Sequence, residues 1–293
     1  MPAAPPTAPA AAPQENRQVI LITGCSSGIG YDSAHAFRRL GWRVFASCRK
    51  PEDCRKLQAE GLESPLLDYQ DNASIHGCVD HVMAATGGRL DVLFNNGAFA
   101  IPAAVEDLPG DALRAIFEAN LFGWHELTRA VLPHMLARGE GRIINNSSVL
   151  GFVALPFRGA YNATKFALEG LTDTLRLELG KTPIKLVLIQ PGPIRTHIRQ
   201  NSYYQFRQWI DWRTSRLESV YRDALIPRLD PAIPQAKPDR FELMPDAVSR
   251  AVIHAATAKR PKHRYRVTTP TRIMALLKRL LSSRALDWLC LRV

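Results

Sequence analysis

Four apolar residues, Val19-Ile-Leu-Ile22, run straight into Thr23-Gly24-Cys25-Ser26-Ser27-Gly28-Ile29-Gly30. A short apolar run with polar flanks reads as a buried parallel strand. Ala34, Phe37 and Leu40 then recur at helical spacing up to Gly41, so the glycines occupy a strand-to-helix turn. Gly24 permits the tight turn, Gly28 allows a close backbone approach, and Gly30 lets helix and strand pack. The N-terminus of such a helix offers free N–H groups to a pyrophosphate. The spacing is G-x-x-x-G-x-G, and a plain βα turn would also account for it. The strand before it, the helix after it and its place at the start of the domain favour a nucleotide site.

The same alternation continues. Arg43-Val-Phe-Ala46 reads as a strand, a helical piece near Cys54 to Ala59 leads to Pro65-Leu-Leu-Asp68, and Ile75 to Ala85 reads as a helix. Leu90–Phe94, Arg142–Asn145 and Ile184–Ile189 are further strands. A long helix spans about 113–136 with a kink expected at Pro133, and another spans 161–180. This order predicts an α/β fold, a doubly wound, mostly parallel sheet with helices on both faces. It forms one domain over residues 17–269. Residues 1–16 read as a disordered Pro/Ala-rich arm with neither the basic start nor the Leu-rich centre of a secretory signal.

The composition, 46% hydrophobic and 22% charged over 293 residues, suits a globular domain. Five scattered cysteines without C-x-x-C fit reduced thiols in a cytoplasmic compartment. No Cys/His grouping suggests a metal site. The net charge of +11 is concentrated late: residues 259–292 hold ten Lys or Arg against Asp287 alone. No recognition helix or zinc-finger pattern accompanies it, which argues against nucleic acid as a partner. Residues 270–293 carry Ile273, Leu276, Leu277, Leu280 and Leu281 on one helical face with Lys278 and Arg279 opposite. Such a basic amphipathic tail lies on an anionic membrane surface, on its own domain or on a sister subunit, and the spacing does not choose.

Tyr161 and Lys165 are four apart on the expected helix and share a face. A nearby ammonium favours phenolate and pulls a tyrosine pKa down from about 10. A phenol so tuned gives or takes a proton at physiological pH. At the end of the second strand stand Ser47, Cys48 and Arg49, with no acid to hold a ribose 2′-hydroxyl. Arg49 suits a 2′-phosphate, which favours NADP over NAD as cofactor.

With Thr23-Gly-x-x-x-Gly-Ile-Gly30 and Tyr161-x-x-x-Lys165 both present, the chain resembles the short-chain dehydrogenases/reductases, strongly over about 17–200. Asn95-Asn96-Gly97-Ala98 stands where the family usually has Asn-Asn-Ala-Gly, a departure shared with a bacterial branch of NADP-dependent aldehyde or retinol-type reductases. The resemblance implies that Tyr161 is the proton donor in reduction, that Lys165 lowers its pKa and holds the nicotinamide ribose, and that Ser148 steadies the carbonyl oxygen. Asn120 would hold a relay water. Ser147, adjacent to Ser148, would face the other way. For the cofactor the resemblance implies Gly24, Ser26, Ser27, Gly28, Ile29 and Gly30 at the loop. It adds Arg49 at the 2′-phosphate, Asp68 at the adenine, and Asn95 and Gly97 near the adenine ribose. Pro191, Gly192, Ile194 and Thr196 would lie toward the carboxamide. It also implies a homodimer or homotetramer.

Residues 197–240 form an insertion rich in Tyr and Trp. It reads either as a lid over an apolar substrate or as a surface helical pair whose rings pack on the core. Its layout, with the tail, is similar to 17β-hydroxysteroid and retinol dehydrogenases. The expected function is interconversion of an aldehyde or ketone with its alcohol, on an apolar small molecule such as a retinoid, steroid, or fatty or aromatic aldehyde. The alternative is a non-catalytic NADP sensor, which would have no use for Ser148, Tyr161 and Lys165.

Overall fold

The computed structural model describes residues 17–233 and 241–292. The Pro/Ala arm expected at 1–16 and part of the 197–240 insertion lie outside them. Six strands form one all-parallel sheet: β1 (Val19–Ile22), β2 (Arg43–Ala46), β3 (Val92–Asn95), β4 (Arg142–Asn146), β5 (Lys185–Gln190) and β6 (Arg264–Arg266), in the order β2-β1-β3-β4-β5-β6. The chain leaves β1 toward β2, then returns to the other side of β1 as β3. The carboxyl ends of β1 and β3 therefore flank the point where the strand order reverses, the usual ligand crevice of such sheets.

The strands alternate strictly. Leu21, Leu93, Ile143 and Leu186 face one core, covered by α3 (Asn72–Thr86), α5 (Gly123–Arg138) and α6 (Gly159–Glu178). Ile22, Phe94, Ile144 and Val187 face the other, covered by α1 (Gly28–Arg39), α2 (Pro51–Ala59) and α10 (Asp246–Thr257). Burial on both faces explains why each strand reads as a continuous apolar run. Local signals set the helix ends: the Asp71 carboxylate accepts from Ala73 N–H at the start of α3, and Gly87 closes it at φ 62°.

The segment around Pro65-Leu-Leu-Asp68 is not a full strand. It follows β2 through isolated bridges, Phe45 with Glu63 and Cys48 with Leu66. Pro65 has no N–H to give, which limits it to a broken edge pairing. The long helix expected at 113–136 is two helices, α4 (Gly110–Phe117) and α5, joined by a π-helical turn at Glu118–Phe122. Pro133 lies inside α5 without ending it.

The insertion consists of α7 (Ile198–Trp209), α8 (Glu218–Val220), a π turn (Tyr221–Leu225) and α9 (Ile226–Leu229). Most of its rings turn inward, while Tyr204 stays exposed. Phe206, Ile210 and Tyr221 form a third core with Ile101, Ala103 and Ile116, and the Tyr161 ring packs against it. The Tyr221 hydroxyl donates to Asp107 at 2.7 Å and accepts from Ala104 N–H at 2.9 Å. The reading of rings packed on a core fits this geometry better than a lid of aromatic walls.

The tail forms α11 (Thr269–Leu280) and α12 (Ser283–Cys290). Thr271 and Ala275 are buried against the body, and Lys278 reaches the Phe152 carbonyl at 2.5 Å. Ile273, Leu276, Leu280, Trp288 and Leu291 remain exposed. Among the described residues, no helix is long and apolar enough to cross a membrane.

Candidate active site

A cavity of about 440 Å³ opens at the carboxyl ends of β1, β3, β4 and β5. Gly24, Ser26, Ser27, Gly28 and Ile29 of the first loop line it, together with Gly97. From the other side come Ser148, Tyr161 and Lys165, with Pro191, Gly192, Ile194 and Thr196. Arg49 and Asp68 line a second cavity, which shares Gly24, Ser26, Ser27 and Gly97 with the first. The two make one groove across the switch point.

The glycines earn their places by contact. Gly24 has φ 66°, and a Cβ there would lie 2.5 Å from Gly97 Cα. The residue 97 glycine, where the family usually has alanine, thus meets a backbone-to-backbone approach. Gly28 has φ 60°, with the Thr196 methyl 3.0 Å from where a Cβ would stand. Gly30 does not line the groove. It packs against the Gly24 carbonyl, 2.3 Å from its own would-be Cβ. The start of α1 carries no side-chain cap from Ser27 and no acid in its first turn. Its leading N–H groups therefore have no local side-chain competitor.

Ser148 and Tyr161 sit on different elements that are tied together. The Ser148 hydroxyl accepts from Leu150 N–H at 3.1 Å and opens the 3₁₀ turn Val149–Gly151. Asn162 donates to the carbonyls of Leu150 and Val153 at 2.9 and 2.7 Å. That turn is thereby fixed to the first turn of α6, beside the phenol. Ser147, by contrast, is buried against Gly151, whose would-be Cβ lies 2.5 Å from its hydroxyl.

Lys165 is 1% exposed. Its ammonium donates to the Asn146 carbonyl at 2.8 Å and lies 4.2 Å from the Trp124 ring centre and 5.6 Å from that of Tyr161. Burial pulls its pKa down to about 7, with the Glu169 charge one turn away acting against the fall. Burial pushes the Tyr161 phenol up to about 12, and Ser148 offsets part of the rise. In the ligand-free protein the lysine therefore does not bring the phenol toward neutrality. Desolvation outweighs the attraction expected from a four-residue spacing.

Asn95 and Asn120 are not in the groove wall. Asn95 is fully buried and donates to Asn145 at 3.0 Å, which donates on to Thr172 at 2.9 Å, bracing β3, β4 and α6. Asn120, in the π turn, holds both the carbonyl and the N–H of Phe99, at 2.8 and 3.1 Å. Strand alternation sends Asn95 inward and brings Asn96 to the groove, where its amide donates to the Thr23 carbonyl at 3.0 Å. Sequence reasoning missed Asn96, although the doublet displayed it. It also missed Trp124, whose indole N–H donates to the Gly97 carbonyl at 2.9 Å. Among the described residues, no group of side chains could hold a metal ion, and the five cysteines are unpaired and buried.

A glycine loop at the switch point, facing a serine, a tyrosine and a lysine across one cavity, is an arrangement for oxidoreductase chemistry on a nicotinamide dinucleotide. A model of the short chain dehydrogenase family matches residues 18–205, and the chain belongs to that family. The uncharacterized oxidoreductase YbbO of Escherichia coli K12 is 40% identical over 268 residues, 92% of each chain. A short-chain dehydrogenase from Streptomyces avermitilis has a similar structure, with a TM-score of 0.72, 27% identity, and 90% of this chain and 96% of that one covered. Two further structures share the fold. Serine dehydrogenase complexed with NADP+ has a TM-score of 0.72 at 24% identity, covering 87% and 96% of the two chains. A Burkholderia phymatum family member in complex with NAD has a TM-score of 0.73 at 22% identity, covering 90% and 93%.

Proposed function

We propose that this chain is an NADP(H)-dependent enzyme interconverting an aldehyde or ketone and its alcohol. The observation that carries the reading is that Ser148, Tyr161 and Lys165 line one cavity with the glycine loop. The bound nicotinamide supplies the hydride for reduction or accepts it in oxidation. In reduction the Tyr161 hydroxyl gives its proton to the carbonyl oxygen, leaving a phenolate that solvent reprotonates. The Ser148 hydroxyl donates to the same oxygen and steadies its developing charge. Lys165 acts on the phenol only while it is charged, and burial brings its pKa down to about 7 in the free protein. Its second task is to hold the nicotinamide ribose.

Preference for NADP is supported by Arg49 in the second cavity, with Ser26 beside it and no acid at the end of β2. The first turn of α1 suits the pyrophosphate. An apolar substrate body is supported by Ala100, Pro102, Leu155 and Leu229 in the cavity wall.

The test is loss of NADPH absorbance with a panel of aldehydes and ketones, with NADH run in parallel. No turnover by purified protein that binds NADPH would sink the enzymatic reading and favour a sensor.

A further inference from the structure

The helix α11 is apolar on two sides, and neither proton transfer nor cofactor binding uses the outer one. The inner side is seated on the body. Thr271 and Ala275 are buried there, and the Lys278 ammonium donates to the Phe152 carbonyl and lies 5.2 Å from the Phe166 ring centre. Ile273, Leu276 and Leu280, at i, i+3 and i+7, form a stripe on the opposite side, and they are 49, 58 and 70% exposed. Trp288 of α12 and Leu291 just after it are exposed as well, with the Arg292 guanidinium 3.7 Å from the Trp288 ring centre. The body already holds the inner side, so the stripe is not a face that packs on its own domain.

The charge around the stripe has one sign. Arg272 and Arg279, seven apart, lie on one flank of it and are exposed, as is Arg284. Asp287 is the only acidic side chain after Asp246. Arg272 also lines a cavity of about 520 Å³ with Lys262, Arg264, Tyr265 and Arg266, and among the described residues no acid lines it. The Arg272 guanidinium donates to the Arg266 carbonyl at 3.1 Å, which ties the cavity to the helix. Arg264 is matched by Glu169 and Asp173 at 3.1 and 2.5 Å. The Nε of Arg266, by contrast, is buried with no hydrogen-bond partner among the described residues. Its guanidinium therefore carries a donor that the protein leaves unsatisfied.

We propose that α11 and this cavity dock the chain on an anionic phospholipid surface. Ile273, Leu276 and Leu280 enter the acyl boundary, while Lys262, Arg266 and Arg272 bind lipid phosphates. A basic amphipathic helix gains on such a surface from apolar burial and from charge attraction together. A second copy of this chain fits poorly, because symmetric pairing of two such faces sets arginine against arginine with one aspartate each to offset them. α11 follows β6 at the sheet end that carries the catalytic cavity, and Thr268 and Thr271 lie close against Gly192 of its wall. Docking therefore brings the active site close to the bilayer.

The test is co-sedimentation of the purified full chain with vesicles of phosphatidylcholine alone or mixed equally with phosphatidylglycerol, at low salt. The wild type partitions about tenfold or more better onto the mixed vesicles, and added salt weakens that binding. Leu276→Ser with Leu280→Ser lowers it about tenfold or more, and Arg272→Glu with Arg279→Glu does the same. All four side chains are exposed, so circular dichroism and the unfolding temperature stay at wild type. Should one double variant fail to fold, the other reads the same partition. Equal binding to both vesicles, or binding to neither, overturns the proposal. So does binding to the mixed vesicles that survives both double variants. Sedimentation equilibrium reads the rival occupant: an oligomer that Leu276→Ser with Leu280→Ser dissociates, in a chain that ignores vesicles, gives the stripe to a second copy and overturns the lipid surface. No turnover enters the measurement, so its outcome stands apart from the carbonyl-reducing reading.

Discussion

The ammonium of Lys165 lies over the Trp124 ring, 4.2 Å from its centre, in a position with almost no solvent contact. The ring face and the Asn146 carbonyl stabilise the charge, yet burial still brings the pKa down to about 7.

The first prediction follows from that shift. An unfolded lysine titrates near pH 10.4, so between about pH 7 and 10 the unfolded chain binds more protons than the folded one. Stability from this group rises with pH across that window and is lost as pH falls toward 7. Lys165→Met removes the dependence. Relative to wild type, the variant gains a few kcal/mol at neutral pH, on the order of 4 at most, and the gain fades toward pH 10. Urea unfolding of the ligand-free proteins across pH measures it. A difference that does not change with pH refutes the buried, depressed amine.

Tyr161→Phe separates chemistry from binding. The phenol is protonated throughout the neutral range because burial holds its pKa near 12. Reduction is therefore served at neutral pH, while alcohol oxidation gains as pH rises. The variant loses about a thousandfold in kcat and keeps its NADPH affinity within about threefold. Stopped-flow turnover and fluorescence titration check the two numbers, and retained turnover would remove the phenol from the proton step.

Arg49 offers a cofactor test. Arg49→Ala raises the KM for NADPH about 10- to 100-fold and leaves that for NADH nearly where it was. Equal effects on both cofactors would mean that the guanidinium does not read the 2′-phosphate.

The Tyr221 hydroxyl links the insertion to the body through Asp107 and Ala104. Tyr221→Phe leaves Asp107 only Ser215 on that side, at 2.8 Å, and costs about 1–3 kcal/mol. Hydrogen exchange localises the loss: amides of α7 and α9 lose protection first, while those of β1 and β3 hold theirs. Uniform loss across the sheet would argue against a local clamp.

Where a feature depended on neighbours in sequence, it was legible there. The strand, the glycine turn and the helix after Gly28 are contiguous, as is the Tyr161–Lys165 pair. Features that depend on direction or on distant partners were not. Asn95 and Asn96 look alike in a row of letters, and only the strand's pleat sends one inward and the other to the groove. The π turn at 118–122 leaves no trace in the hydrophobic spacing, so one long helix was the natural reading. The pair at 161 and 165 showed its spacing but not its desolvation, which sets both pKa values.

The third core has a consequence for how such a protein changes over time. The insertion shares its buried centre with Ile101, Ala103, Ala112, Ile116 and Ala160 of the body, beside the Tyr161 ring and apart from the two cores on the sheet. The insertion is thus anchored to the body through a shared core and through the Tyr221 hydroxyl. A lineage that rewrites residues 198–229 must keep the side chains that fill this shared centre, and has freedom at the positions that face the cavity instead.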